Sequence, residues 1–358
     1  MRQVHLQFKL NGISLGQDAL SEVAYSWVKE GEDFESFAGE FLLDWLSPSE
    51  THRVQTSGST GKPKTLLLKK EAMVNSALAT GQYFGLKPGD RALLCLPIEF
   101  IAGKMMLVRA MVIGLHLDII APSSRPMRGI KSEYDFAAMV PLQVQNSLDV
   151  IHGIKKLIVG GAPISKSLRK RLVMQSSGIF ETYGMTETIT HIAVKRVSRL
   201  KGKKGESSFK TLPGVNISKD KRGCLVIHAP KIANNLVVTN DLVDILDENY
   251  FKWLGRYDNV VNSGGVKLIP EQIEEKLSPF LDNRFFVTGI PDEKLGEQLV
   301  LFIEGTKQQK EVVSRKIREV KALEKFEVPK QVIYVKNFLE TVTGKVQRQK
   351  IKSQFLNN

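Results

Sequence analysis

Cysteine is nearly missing from this chain of 358 residues: only Cys95 and Cys224 occur, far apart and each inside an apolar, strand-like run. Two such residues cannot build a disulfide framework, and they lack the close spacing of a cysteine metal site. They read as buried thiols in a reducing compartment, with the cytoplasm the expected location. Long apolar runs are missing too. The most apolar stretch, MMLVRAMVIGLHLDIIAP at 105–122, is broken by Arg109, His116 and Asp118, so a membrane span is not expected. The N-terminal MRQVHLQFKL places charged and polar residues where a secretory signal needs an apolar block. Acids are outnumbered: 38 Asp and Glu against 51 Lys and Arg leave a formal charge of +13. That excess suits either a solvated basic face or a polyanionic partner. Nucleic acid is one such partner, though no recognised nucleic-acid motif accompanies the charge; a nucleotide or a coenzyme with several phosphates would use the same charge. The densest basic segment, KRVSRLKGKKGESSFK at 195–210, has the Gly and Ser content of a mobile loop.

What is present is an alternation of short apolar runs and helical spacing. RALLCLP (91–97), LDIIAP (117–122), KKLIVGG (155–161) and GIFETYG (178–184) read as buried strands. KKEAMVNSALATGQYF (69–84), GKMMLVRAMVIG (103–114) and SKSLRKRLVMQ (165–175) read as helices between them. Such alternation predicts an α/β architecture with a largely parallel sheet. After residue 205 the runs shorten: CLVIHAP, NLVVTND and YFKWLGR suggest a β-rich subdomain. From 258 a helix (PEQIEEKLSPF), two strands, a charged helix (QQKEVVSRKIREVKAL) and a last strand (KQVIYVKN) suggest a compact α+β unit. The expected boundary lies at GRYDN, giving domains 1–255 and 256–358. There is no internal repeat.

Five segments carry candidate chemistry. TSGSTGKPK (56–64) precedes a strand-like KTLLL, so it reads as strand, loop, strand. It is not a Walker A loop: Gly61-Lys62 is followed by proline, and the position five before Gly61 is Thr56. It nevertheless offers hydroxyls at Thr56, Ser57, Ser59 and Thr60, close backbone approach at Gly58 and Gly61, and a point charge at Lys64, which together could cradle phosphate. A Ser/Gly linker has the same composition. ETYGMTET (181–188) offers Glu187 as a hard oxygen ligand for Mg²⁺ and Tyr183 as a base-stacking ring, though an ordinary strand-to-helix turn looks alike. Asp241 ends LVVTND, where a carboxylate could accept from both ribose hydroxyls or simply form a turn. WLGRYDNVVNSGGVKLIPEQIEE (253–275) and TVTGKVQRQ (341–349) complete the set.

In order and spacing these segments resemble the adenylate-forming superfamily of acyl-CoA synthetases, adenylation domains and luciferases. That superfamily carries a [ST]SG[ST]TGxPK loop, YGxTE, T-G-D, GRxDxxxxxxG and a late glycine-lysine, and all five have counterparts over residues 53–348. SGGVKLIPEQIE and LPIEFIAGKMMLVRAM are similar, more narrowly, to the o-succinylbenzoate–CoA ligases of menaquinone biosynthesis. There are departures: Thr239-Asn240-Asp241 lacks the usual glycine, Phe100 stands where a histidine is usual, and the loop at residue 56 comes early enough to imply a reduced N-terminal subdomain.

The resemblance implies a large α/β domain followed by a small mobile α+β domain. It implies an acid–thiol ligase that forms acyl-AMP from ATP and a carboxylic acid with Mg²⁺ and then transfers the acyl group to coenzyme A. Lys345, Glu187 and Thr186 would be catalytic, with Glu187 on the metal. Thr56, Ser57, Gly58, Ser59, Thr60, Gly61 and Lys64 would hold the phosphates. Gly160, Gly161, Ala162, Thr182, Tyr183 and Gly184 would surround the adenine, and Asp241 with Arg256 would hold the ribose. Asp258 would be the hinge, and Ser263, Gly264 and Gly265 would border the pantetheine tunnel. Gly103 and Arg109 would line the acyl pocket. Arg109 is weighed here against a snorkelling arginine with its head in water; a pocket built for a second carboxylate would need it, and a fatty-acid pocket would not. Two other readings stand beside this one: a ligase for another acyl or aryl acid, and a catalytically silent nucleotide or nucleic-acid binder on the same scaffold. The two-step chemistry predicts that Lys345→Ala abolishes adenylation yet largely spares thioester formation from supplied acyl-AMP. Measuring the two half-reactions separately checks this, and equal loss of both would show that Lys345 is not specific to the first.

Overall fold

A computed structural model describes residues 4–55, 65–175, 178–197, 208–306, 313, 315–317, 319–341 and 346–357. Among the described residues, hydrogen bonds join thirteen strands into one sheet. Its middle is parallel, in the spatial order His116–Ile119, Arg91–Leu94, Tyr134–Met139, Ile154–Val159 and Gly178–Gly184. These strands are apolar nearly throughout because helices cover the sheet and leave little of it in contact with water. The helices Lys70–Phe84 and Lys166–Leu172 stand within the segments whose spacing predicts them, and Ile101–Ile113 starts two residues before its predicted segment 103–114. Ile101–Ile113 is apolar on nearly all sides and accordingly lies buried.

Beyond Gly178–Gly184 the sheet continues antiparallel through His191–Arg196, Phe209–Thr211, Tyr250–Arg256, Val237–Asp247, Cys224–His228 and Asn216–Lys219. The β-rich segment is thus hydrogen-bonded edge to edge with the parallel half. Its shorter runs reflect tight antiparallel turns in place of helical crossovers. The segment 195–210, expected to be a loop, begins and ends in strand; residues 198–207 lie outside the described residues. Cys95 and Cys224 are both free and buried.

A second sheet contains Val266–Leu268, Val261–Ser263, Gly296–Glu304 and Phe285–Asp292, with Gln331–Val335 parallel to Gly296–Glu304. The helix Pro270–Leu277 packs on it. Much of the expected charged helix at 308–323 lies outside the described residues. The apolar clusters of the large sheet run from Val4 to Phe251, and two further clusters lie between Val261 and Ile351. The turn Tyr257–Asn259 connects the two sheets.

The sequence reading did not find the helices Gln17–Glu30 and Asp33–Leu46, which pack side by side and bury Leu20, Ala24, Ala38, Leu42 and Trp45. The second of them ends on an ammonium group. Lys70 is buried, and its Nζ donates to the carbonyls of Trp45 (3.0 Å), Ser47 (3.1 Å) and Asp44. A cation at a helix C-terminus satisfies carbonyls that have no intrahelical partner. Lys70→Met keeps the apolar stem and orphans those carbonyls, so it should lower stability by about 1–3 kcal/mol. Urea unfolding measures the shift, and an unchanged midpoint would mean that the carbonyls find other donors.

Candidate active site

A cavity of about 240 Å³ opens between the helix Ile101–Ile113 and the ends of the parallel strands. It brings together Arg109, Gly160, Gly161, Thr182, Gly184 and Thr186 from segments far apart in sequence. This is the carboxyl end of a parallel sheet, where ligand crevices form in α/β folds.

Arg109 does not snorkel. It is 1 % exposed, and the helix around it is packed on the core. Nη2 donates to Thr190 Oγ1 at 3.3 Å, Nη1 lies 3.7 Å from Met106 Sδ, and Nε has no hydrogen-bond partner among the described residues. No carboxylate pairs with it among them. Burial pulls its pKa down to about 9, which still leaves the guanidinium charged at neutral pH. Beside it, His191 is buried, and burial together with the Arg109 charge holds its pKa well below the ordinary value. The imidazole is therefore neutral.

The glycines have local reasons to be glycines. At Gly160 a Cβ would come within 2.5 Å of Thr182 Oγ1, and at Gly184 it would run into the Thr190 carbonyl oxygen and the His191 Cα. Gly103 faces away from the expected acyl pocket: its Cβ would strike the Pro97 carbonyl, so the glycine lets the helix start against the preceding turn. Ala162 is exposed and is not part of the cavity wall. The loop 160–164 is held by Glu181, whose Oε1 accepts from the Ile164 amide at 3.2 Å and whose Oε2 pairs with Lys195 (2.8 Å) and Arg169.

A second cluster surrounds Asp241. Its carboxylate is buried and accepts from Tyr183 Oη at 2.7 Å and Trp253 Nε1 at 3.1 Å, with Arg256 Nη1 at 3.5 Å. The Tyr183 ring packs on Phe209 and Phe251. Arg256 Nη2 donates to Asp258 at 3.1 Å. Asn240, which replaces the usual glycine, reaches both Asp258 oxygens at 3.2 Å, and its Oδ1 accepts from Arg222 at 2.7 Å. The residue that departs from the expected pattern is thus tied to the turn between the sheets. Gly264 and Gly265, with φ of +58° and +82°, form the two-residue turn of the hairpin Val261–Ser263/Val266–Leu268. A turn with two positive φ values accounts for both glycines without a ligand.

Glu187 is exposed in the turn Thr186–Thr188 and makes no hydrogen bond or ion pair among the described residues. No group of three or more His, Cys, Asp or Glu could hold a metal there among the described residues. One free carboxylate fits Mg²⁺, which keeps several waters and shares phosphate oxygens, better than it fits a cation needing a full protein cage. Residues 56–64, including Thr56, Ser57, Gly58, Ser59, Thr60, Gly61 and Lys64, lie outside the described residues, as does Lys345. The strands that flank the former, Thr51–Gln55 and Thr65–Lys69, pair antiparallel from Thr51↔Lys69 to Gln55↔Thr65. Sequence reading missed Ile189, Thr190 and His191, which line the cavity; the one available signal was a histidine soon after the YGMTE run.

Residues 52–219 match the model of a family described as AMP-binding enzyme. An AMP-forming acyl-CoA synthetase/AMP-acid ligase II-like protein of Dyadobacter fermentans is 34% identical, with a TM-score of 0.63 over 95% of this chain and 98% of that one. The chain belongs to the AMP-binding enzyme family. Within it, a 2-succinylbenzoate–CoA ligase of Listeria monocytogenes is 27% identical over 340 residues, covering 88% of this chain and 72% of that protein. The o-succinylbenzoate CoA synthetase of Bacillus subtilis, solved with its acyl-adenylate, shares the fold with a TM-score of 0.70 at 21% identity, over 84% of this chain and 68% of that one.

The Glu181 pairings make stability depend on pH. Burial pushes its carboxyl up, but Lys195 and Arg169 pull it down harder, and it ends below the ordinary glutamate value. A depressed folded pKa stabilises fully above the unfolded value of about 4.3, and that stabilisation is lost as pH falls through the folded value. Glu181→Gln should therefore be less stable at pH 7 and lose less stability on acidification below about pH 4.3. Unfolding free energies across acid pH check this, and parallel curves for the two proteins would sink it.

Proposed function

We propose that this chain is an ATP-dependent carboxylate–CoA ligase that works through acyl-AMP, with o-succinylbenzoate as its acid. The observation that carries the substrate is Arg109: a charged guanidinium, buried at a cavity wall, with no carboxylate to neutralise it among the described residues. A buried charge demands a partner, and a planar fork suits a carboxylate. A diacid can offer one carboxylate to Arg109 and the other to activation. The 2-succinylbenzoate–CoA ligases among the chain's relatives support the same acid.

In the first half-reaction a substrate carboxylate oxygen attacks the α-phosphorus of ATP, and pyrophosphate leaves. Two anions must meet, so donors and cations are needed where charge develops. Lys345 would reach the acyl carboxylate and α-phosphate. The hydroxyls of 56–60 and Lys64 would hold the β- and γ-phosphates. Glu187 would hold Mg²⁺, which supplies charge neutralisation between phosphate oxygens. Asp241 and Arg256 would take the ribose hydroxyls, an exchange that asks Asp241 to share oxygens already engaged by Tyr183 and Trp253. In the second half-reaction the coenzyme A thiol attacks the acyl carbon and AMP leaves. We propose domains 1–255 and 256–358 that reorient between the steps about Asp258, with the Ser263–Gly265 turn beside the pantetheine path. ATP and coenzyme A as substrates favour the cytoplasm, and no described helix is long and apolar enough to cross a membrane.

ATP–pyrophosphate exchange with a panel of carboxylic acids tests the reading. Exchange with another acid alone would favour a different acyl or aryl ligase, and no exchange with any would favour a silent binder. Arg109→Leu should fold, since leucine suits this helix. Losing the partner of a buried carboxylate costs about 3–5 kcal/mol, so kcat/KM for o-succinylbenzoate should fall by roughly two to four orders of magnitude. The KM for ATP should hardly change, and a benzoate lacking the second carboxylate should be indifferent. Undiminished turnover of o-succinylbenzoate would remove the reason for preferring this acid.

A further inference from the structure

The turn that leads into the cavity is strained. Thr190 donates its amide hydrogen to the Thr188 carbonyl at 2.7 Å, two residues back, and Ile189 between them has φ +64° and ψ −60°. This is the rare hand of a three-residue turn, and it centres on a β-branched residue only 2 % exposed. Strain of this kind persists where the surroundings hold it and is concentrated at functional sites. Here the Met185 amide donates to Thr188 Oγ1 at 3.2 Å, and the Thr188 hydroxyl lies 2.8 Å from the Thr190 carbonyl. The turn has a geometric consequence. In an extended strand consecutive side chains point to opposite faces, whereas Ile189, Thr190 and His191 all line the cavity. The pairing register shifts just after them, between His191 and Ala193.

The polar side chains delivered this way form a chain whose proton directions are determined. The Thr80 hydroxyl must donate to the Ser76 carbonyl at 3.0 Å, because a carbonyl can only accept. Thr80 Oγ1 therefore accepts from its other neighbour, His191 Nε2, at 3.4 Å, so Nε2 carries the imidazole hydrogen. Nδ1 of the neutral ring is then bare, and at 3.2 Å it takes the Thr190 hydroxyl hydrogen. The lone pairs of Thr190 Oγ1 are left for Arg109 Nη2 at 3.3 Å.

We infer that Thr190 is a positioning residue for Arg109, and that His191, as the Nε2–H tautomer, is the acceptor that turns the Thr190 lone pair toward the guanidinium. The inference rests on the reading that Arg109 receives the substrate's second carboxylate. The hydroxyl takes one of the two Nη2 hydrogens and fixes the plane in which the fork is presented, so that Nε, which has no partner among the described residues, and the second Nη2 hydrogen are left for that carboxylate.

Two measurements on the intact protein test it. In ¹⁵N-histidine NMR at neutral pH, His191 should show a bare Nδ1 and a protonated Nε2. Its signal is assigned by its loss in His191→Gln or, if that variant does not fold, by elimination through single substitutions of the other five of the six histidines. An Nδ1–H tautomer or an imidazolium overturns the relay. In kinetics, Thr190→Val keeps the side-chain shape and loses the hydroxyl. It should raise KM for o-succinylbenzoate roughly ten- to a hundredfold, the span of a hydrogen bond to a charged group. The KM for ATP should stay the same and a monocarboxylic benzoate should be unaffected, while Thr190→Ser restores the wild-type KM. If Arg109→Leu loses o-succinylbenzoate while Thr190→Val does not, this inference falls and the substrate reading stands. If Arg109→Leu turns over o-succinylbenzoate normally, the substrate reading falls, and the NMR result still decides the tautomer.

Discussion

A positive charge buried at a cavity wall without a counter-charge among the described residues is the constraint around which this site is arranged. Arg109 sits on a helix packed into the core, so its charge cannot be led out to water. Water is replaced by a hydroxyl, a thioether and the open cavity. The hydroxyl reaches it only because the backbone at Ile189 adopts a strained turn, and that turn lies so close to the preceding strand that residue 184 has room for no side chain. Each element meets the next: Arg109 meets the Thr190 hydroxyl, the turn at Ile189 precedes Thr190, and the Thr190 carbonyl lies against Gly184. The remaining valence of the guanidinium is what a carboxylate ligand would fill.

A second network governs the other side of the site. Asp241 is shared among Tyr183, Trp253 and Arg256, and Arg256 also holds Asp258 in the turn between the two sheets. Asn240 adds a side-chain bridge from Arg222 to that same turn. Asp241 and Asp258 are thereby coupled: moving the turn disturbs the partners of the buried carboxylate. The bridge sits at a position where the family pattern carries a glycine, which could make no such contact.

Elements with strong periodicity were legible at once. The strand Gly178–Gly184 and the strand Tyr250–Arg256 have the same bounds as their runs in the sequence. The helices Gln17–Glu30 and Asp33–Leu46 were not legible: they pack side by side, the end of the second is capped by the distant Lys70, and no short motif marks them. The β-rich segment looked like a separate subdomain because hydrogen bonding between strands distant in sequence leaves no local trace. Gly103 looked like a pocket residue and instead accommodates Pro97, since a glycine does not reveal which neighbour it makes room for.

The sequence by itself determined the alternation of strands and helices, the order of the five motifs, and the oddity of an arginine in an apolar helix, because each is written in local spacing and composition. Only the tertiary structure decided that this arginine is buried with no carboxylate partner among the described residues, that Thr190 and His191 stand against it, and that Asn240 is bridged to Asp258. Burial, hydrogen-bond direction and positive φ at a β-branched residue are properties of what surrounds a side chain. Those surroundings come from strands and helices more than a hundred residues apart, as between Thr80 and His191.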